Sequence, residues 1–217
     1  MTMTPGVRKL ALTAHVTSSV GWLGAVGAFL ALAIAGLIGR DELMVRSVYL
    51  ATELTTWVVI VPLAFASLAT GLIVALGTPW GLFRHYWVFV KFTLTVLATV
   101  LLLLHTQPIG RVAAAARAGA VSGPDVHALQ IQLVGDAGAA LLALLVNVTL
   151  SIYKPQGLTS YGVRKKGEEH PGAARVAVES ERSPRWIQGL AILVVALILL
   201  FVILHLAGGG LGSLHHR

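Results

Sequence analysis

From Leu10 to Ile38 the chain carries no aspartate, glutamate, lysine or arginine. A helix needs about 20 apolar residues to cross a hydrocarbon layer of about 30 Å, and a run of this length has few other homes. A secretory signal has an apolar region of about 7–15 residues ahead of its cleavage site, so this segment reads as an uncleaved first span. Composition agrees. Only 12% of the 217 residues are charged, against about 25% in soluble domains, and the mean hydropathy is +0.82. The expected fold class is all-α, a polytopic membrane helix bundle.

Four more apolar runs follow the first. Val48–Gly77 is the second span, with Glu53 near its start and Pro62 inside it; the missing backbone donor at Pro62 predicts a kink. Thr78-Pro-Trp80-Gly is a tight turn carrying an interfacial tryptophan. His85–Thr106 is the third span, closed by Gln107-Pro108, and an Ala/Gly-rich connection runs from Arg111 to Pro124. Leu129–Ile152 is the fourth, Trp186–Leu206 the fifth. The chain thus divides into a four-helix transmembrane bundle (1–153), a basic cytoplasmic loop (154–185), and a fifth helix with a short tail (186–217).

Basic residues set the orientation, because cytoplasmic loops carry the excess of Lys and Arg. Arg8, Lys9, Arg84, Lys154, Arg164, Lys165, Lys166, Arg175, Arg182 and Arg185 fall on one side. Arg40, Arg46, Arg111, Arg117 and Arg217 fall on the other. The expectation is five spans with the N-terminus in and the C-terminus out, in a bacterial inner (plasma) membrane. Topology also accounts for the net charge of +7 without nucleic acid. The lipid bilayer is the expected partner, together with a membrane or cytosolic protein on the 154–185 loop.

The absence of cysteine excludes disulfides, thiolate metal sites, iron–sulfur clusters and cysteine nucleophiles. No phosphate-cradling glycine loop is present, since Gly208-Gly-Gly follows a span and precedes no helix start. Neither a Ser/His/Asp arrangement nor an internal repeat stands out.

Ionisable residues at membrane depth are costly and therefore mark candidate functional sites. At 3.6 residues per turn, His15, Ser18, Ser19, Trp22, Val26 and Phe29 share one face of the first span. A second stripe, Thr17, Gly21, Gly24 and Ala28, carries only small side chains, of the kind that lets helices approach closely. That pattern places the span at the centre of the bundle with Gly21 and Gly24 as packing positions. His15 reads either as an axial ligand or proton carrier, or as a hydrogen-bonded histidine near the inner interface.

On the third span Lys91, Thr95, Ala98, Leu102 and His105 line one face. Lys91 and His105 are separated by about 21 Å along the axis, at a rise of 1.5 Å per residue. His15 and Lys91 therefore share a depth, while His15 and His105 cannot meet on one iron. Lys91 reads equally as a residue snorkelling to the inner headgroups. Toward the outer side Glu53, His105, His127 and the somewhat deeper Asp136 are expected to converge, as a proton relay, an ion pair or a metal site.

His15-x6-Trp22-x-Gly24 resembles the first-helix signature of a group of small bacterial membrane proteins. The group includes the copper-resistance CopD family, the HemJ-type protoporphyrinogen oxidases and the membrane part of PuuD-type urate oxidases. The third span, with Tyr86-Trp-Val-Phe-Val-Lys91 leading to His105, is similar too. Across most of its length the chain resembles an actinobacterial-type family of predicted integral membrane proteins, of which Tyr153-Lys-Pro-Gln-Gly-Leu-Thr-Ser-Tyr161-Gly is typical. The wider resemblance implies a helical bundle that holds b-type haem through histidine. Two departures stand out: Ala25 replaces the second glycine of Trp-x-Gly-Gly, and no Met- or His-rich copper segment is present.

Three functions are weighed on these grounds. One is haem b binding for electron transfer or redox sensing, with cofactor-binding residues His15, His105, Lys91 and Trp22. A second is a small proton-coupled transporter using Glu53, Asp136, Lys91 and His105. The third is a non-catalytic partner or assembly protein acting through the basic loop.

Overall fold

Apolar runs this long leave the backbone no partner but itself, and helices satisfy every interior N–H and C=O within the segment. In the computed structural model the chain does so over most of the residues the structure describes, which are 3–77, 82, 85–153, 159 and 164. Helix α1 is Pro5–Ile38, α2 is Glu42–Thr55, α3 is Val61–Gly77, α4 is Tyr86–Arg117 and α5 is Pro124–Tyr153. A π turn over Thr56–Ile60 joins α2 to α3, so that Glu42–Gly77 is one continuous rod. Four helices among the described residues are thus long and apolar enough to cross a membrane. The protein is a multi-pass helical bundle. The fifth run, most of the 154–185 loop and Thr78–Pro79–Trp80 lie outside the described residues.

The rods form a square. α1 packs on the α2–α3 rod and on α5; α4 packs on the same two from the opposite corner. Each rod turns apolar side chains outward as well, among them Leu12, Val20, Val58, Phe65, Leu103 and Leu142. Such a surface is costly in water and suits lipid. The shared face of α1 points inward, with Ser18, Trp22, Val26 and Phe29 buried.

The small stripe behaves differently from the expectation. Thr17, Gly24 and Ala28 are exposed, and nothing among the described residues comes within 4 Å of a Cβ placed on Gly24. Gly21 does pack, against Leu63 of α3. A tighter contact is made at Gly36, where a Cβ would sit 2.6 Å from Cζ of the buried Tyr49 ring. Size alone marks a stripe as able to pack; which stripe packs depends on the partner surface.

Two prolines also resolve in ways the sequence left open. Val61 N–H bonds to Thr56 O, five residues back, and this wide turn ends one residue before Pro62. A proline ring crowds the carbonyl four residues upstream, and the extra residue in the turn relieves that crowding at Val58. Pro108, expected to close the third span, lies inside α4, which continues to Arg117. Beyond it Ile109, Val112, Ala113 and Ala116 form a buried stripe. A proline inside a helix costs about 3 kcal/mol, whereas burying Ile109 and Val112 returns roughly 1.5–3 kcal/mol each where the alternative is water. Packing wins, and the helix runs on.

Its C-terminus is closed by Gly119, at φ +72°, with Ala120 N–H on Ala115 O at 2.9 Å. Arg46 of α2 donates to Ala116 O at 2.8 Å, a cation on the negative end of the helix dipole.

Candidate functional site

Two cavities occupy the interior of the square, one on each side of Trp22. Trp22 and Leu144 line both.

The first, of about 380 Å³, lies toward the N-terminal end of α1 and contains His15 and Lys91. The expected common depth of these two residues is what brings them together. His15 Nδ1 lies 3.1 Å from Ser67 O and 3.2 Å from Thr70 Oγ1. A carbonyl oxygen only accepts, and the Thr70 hydroxyl already donates to Ala66 O at 2.6 Å. Nδ1 therefore carries the proton, and in the neutral ring Nε2 holds the lone pair.

The ring lies against Gly71, where a Cβ would be 3.0 Å from His15 Cε1; the glycine makes room for it. Ser19 and Ser67 are joined through their hydroxyls at 2.8 Å, tying α1 to α3 one turn further on. Ser67, Thr70 and Gly71 were missed in the sequence. Their spacing of three and four residues, small or hydroxylated, was the available signal.

Lys91 is held by a polar ladder between α4 and α5 and not only by headgroups. Its ammonium donates to Ser151 Oγ, and the Ser151 hydroxyl donates to Asn147 O at 3.0 Å. Asn147 Nδ2 donates to Thr95 Oγ1 at 2.9 Å, and that hydroxyl donates to Lys91 O at 2.9 Å.

The second cavity, of about 340 Å³, lies toward the other end of the bundle and contains His105 and Asp136. His105 Nε2 is 3.0 Å from Asp136 Oδ2, and its Nδ1 donates to Leu101 O at 2.6 Å. The remaining wall is almost wholly apolar, with Val26, Phe29, Ile60, Leu94, Leu102 and Leu133 among its residues. Of the four residues expected to converge at this end, only these two do. Glu53 pairs with Arg117 across α2 and α4, and His127 is exposed.

No three His, Asp or Glu side chains group closely enough to hold a metal ion among the described residues. His15 and His105 open into different cavities, as their separation along the sequence requires. No protein-family model, no curated protein and no solved structure matches the chain. The functional reading therefore rests on this geometry and on the sequence.

Proposed function

We propose that the protein is a five-span, N-terminus-in protein of the bacterial inner membrane that binds haem b in the His15 cavity. Its role would be electron transfer or redox sensing. One observation carries this reading: Nδ1 of His15 is committed to Ser67 O and Thr70 Oγ1, which leaves the lone pair of the neutral ring on Nε2, in a residue that lines the cavity. A ring nitrogen fixed by a hydrogen bond from its other nitrogen is the arrangement that orients histidine for a metal.

The donor set fits the group. His15 would hold the iron through Nε2. Lys91, in the same cavity, offers a cation to the carboxylates that haem b carries. Gly71 leaves the ring its space, and Trp22 closes the far wall. Bound haem supplies one-electron chemistry at its iron; these residues hold it, orient it and keep its site within lipid. The resemblance of the His15–Gly24 segment to haem-holding bundles supports the same reading, as do the lysines and arginines for the orientation.

Reduced-minus-oxidised spectra of the detergent-purified protein, expressed in haem-replete cells, are the test. A Soret and an α band are expected, lost in His15→Ala and retained when the histidine of the fifth apolar run is replaced, His205→Ala. A protein without either band is not a haem protein, and the proposal then falls.

A further inference from the structure

Thr70 touches His15 but is not part of the cavity wall, which takes Ser67, Leu68 and Gly71 from the same stretch of α3. Whatever Thr70 does to a guest in that cavity passes through the His15 ring.

The Thr70 hydroxyl has one proton and two carbonyls within reach, Ala66 O at 2.6 Å and Ser67 O at 3.3 Å. The shorter bond takes the proton. Threonines inside helices often bond back to their own turn, and that bond alone would make Thr70 a structural residue. A lone pair on Oγ1 is left over, and Oγ1 lies 3.2 Å from His15 Nδ1. Ser67 O lies 3.1 Å from the same nitrogen. The ring N–H therefore has two acceptors at nearly equal distance, one from the backbone and one from a side chain. A carbonyl by itself selects the Nδ1–H tautomer; the second acceptor deepens that preference and limits rotation of the ring. The Ser19–Ser67 bond at 2.8 Å holds α1 and α3 in the register this requires.

Neither acceptor is charged, and the described residues lining the cavity include no aspartate or glutamate. A hydrogen bond from the far nitrogen of a metal-holding histidine raises its basicity, and such bonds are one of the levers by which a protein tunes haem. A carboxylate would push hard; a hydroxyl adds a small, graded amount. We propose that Thr70 is a positioning residue for His15, holding the ring as the Nδ1–H tautomer. On the haem reading above, from which this part follows, the same bond strengthens His15 as a donor and favours ferric iron.

The first test needs no haem. Nitrogen NMR of the isotope-labelled, haem-free full chain in detergent, at a pH where the ring is neutral, gives the tautomer ratio of His15. The signal is assigned by its loss in His15→Ala. Thr70→Val keeps the shape and removes the acceptor, and should move the ratio about fivefold toward the Nε2–H form, the weight of one net hydrogen bond. Thr70→Ser should restore it. Thr70→Ala takes the place of Thr70→Val should the latter fail to fold. In haem-loaded protein Thr70→Val should raise the midpoint potential, because a weaker donor favours ferrous iron, and Thr70→Ser should return it to the wild-type value.

An unchanged tautomer ratio in Thr70→Val overturns the proposal, since a threonine serving only its own helix gives that result. So does a Thr70→Ser variant that behaves as Thr70→Val does. A shifted ratio with an unchanged midpoint potential overturns the part concerning iron. Absence of the Soret band from the wild type removes the haem reading instead, and the tautomer ratio still decides the role of Thr70.

Discussion

The two cavities hold the same residue type in the same bundle and do opposite things with it. At His15 a carbonyl and a hydroxyl take Nδ1, and the residue lines a cavity that also contains Lys91. At His105 a carbonyl likewise takes Nδ1, but a carboxylate closes Nε2 and the surroundings are apolar. In the proposed reading the first imidazole holds haem through its other nitrogen. The second is already paired with a carboxyl group 3.0 Å away. What separates them is the residue on the facing helix: α3 gives His15 only backbone and small side chains, whereas α5 gives His105 Asp136.

The sharpest way to break this comparison is to remove each histidine in turn and record the haem spectrum. His15→Ala should lose essentially the whole Soret band, and His105→Ala should keep it. Loss in both would mean that the two ends act on one cofactor.

Next in size is stability. Asp136→Leu leaves the His105 ring facing an apolar wall without its polar partner, at a cost on the order of 1–3 kcal/mol. Adding His105→Leu should recover most of that loss, because replacing both members of a buried pair by apolar groups is often close to neutral. His15→Leu, which removes no charged partner, should cost about 0.5–1.5 kcal/mol. Thermal unfolding of haem-free protein in detergent reads all three; a double variant no more stable than Asp136→Leu would sink the idea of a self-contained pair.

The smallest expected effects concern glycines. A methyl group on Gly71 would lie 3.0 Å from the His15 ring, so Gly71→Ala should weaken haem retention a few-fold by pushing the ring aside. Gly24→Ala meets open space among the described residues and should leave retention unchanged, with stability the same or raised by up to about 1 kcal/mol through helix propensity. Haem loss to apomyoglobin over time distinguishes the two. Equal rates would remove Gly71 from the site.

Much of the architecture was legible from the chain. Hydropathy located the four rods, since the requirement for lipid-length apolar runs acts on each segment alone. The inward face of α1 and the inward stripe of α4 followed from helical periodicity, and depth along the rods correctly put His15 with Lys91. The limits were equally specific. Pro108 looked like an end because local backbone chemistry argues for one; the stripe beyond it, buried against α2, overrides that. Gly24 looked like a contact because it is small, but smallness permits contact without supplying a partner.

What the sequence determined by itself, then, is the helical class, the positions of the four rods and the common depth of His15 and Lys91. These depend on composition and on a rise of 1.5 Å per residue, both properties of a single segment. The tertiary structure alone decided which polar groups face one another: Ser67, Thr70 and Gly71 around His15, Asp136 on His105, Arg117 on Glu53. Those outcomes depend on the rotation and neighbour of each helix. Helices surrounded by lipid gain little from hydrophobic contrast with it, so packing and hydrogen bonds between rods choose the pairing. That choice is what sets one histidine against a carbonyl and a hydroxyl of α3 and the other against a carboxyl group of α5.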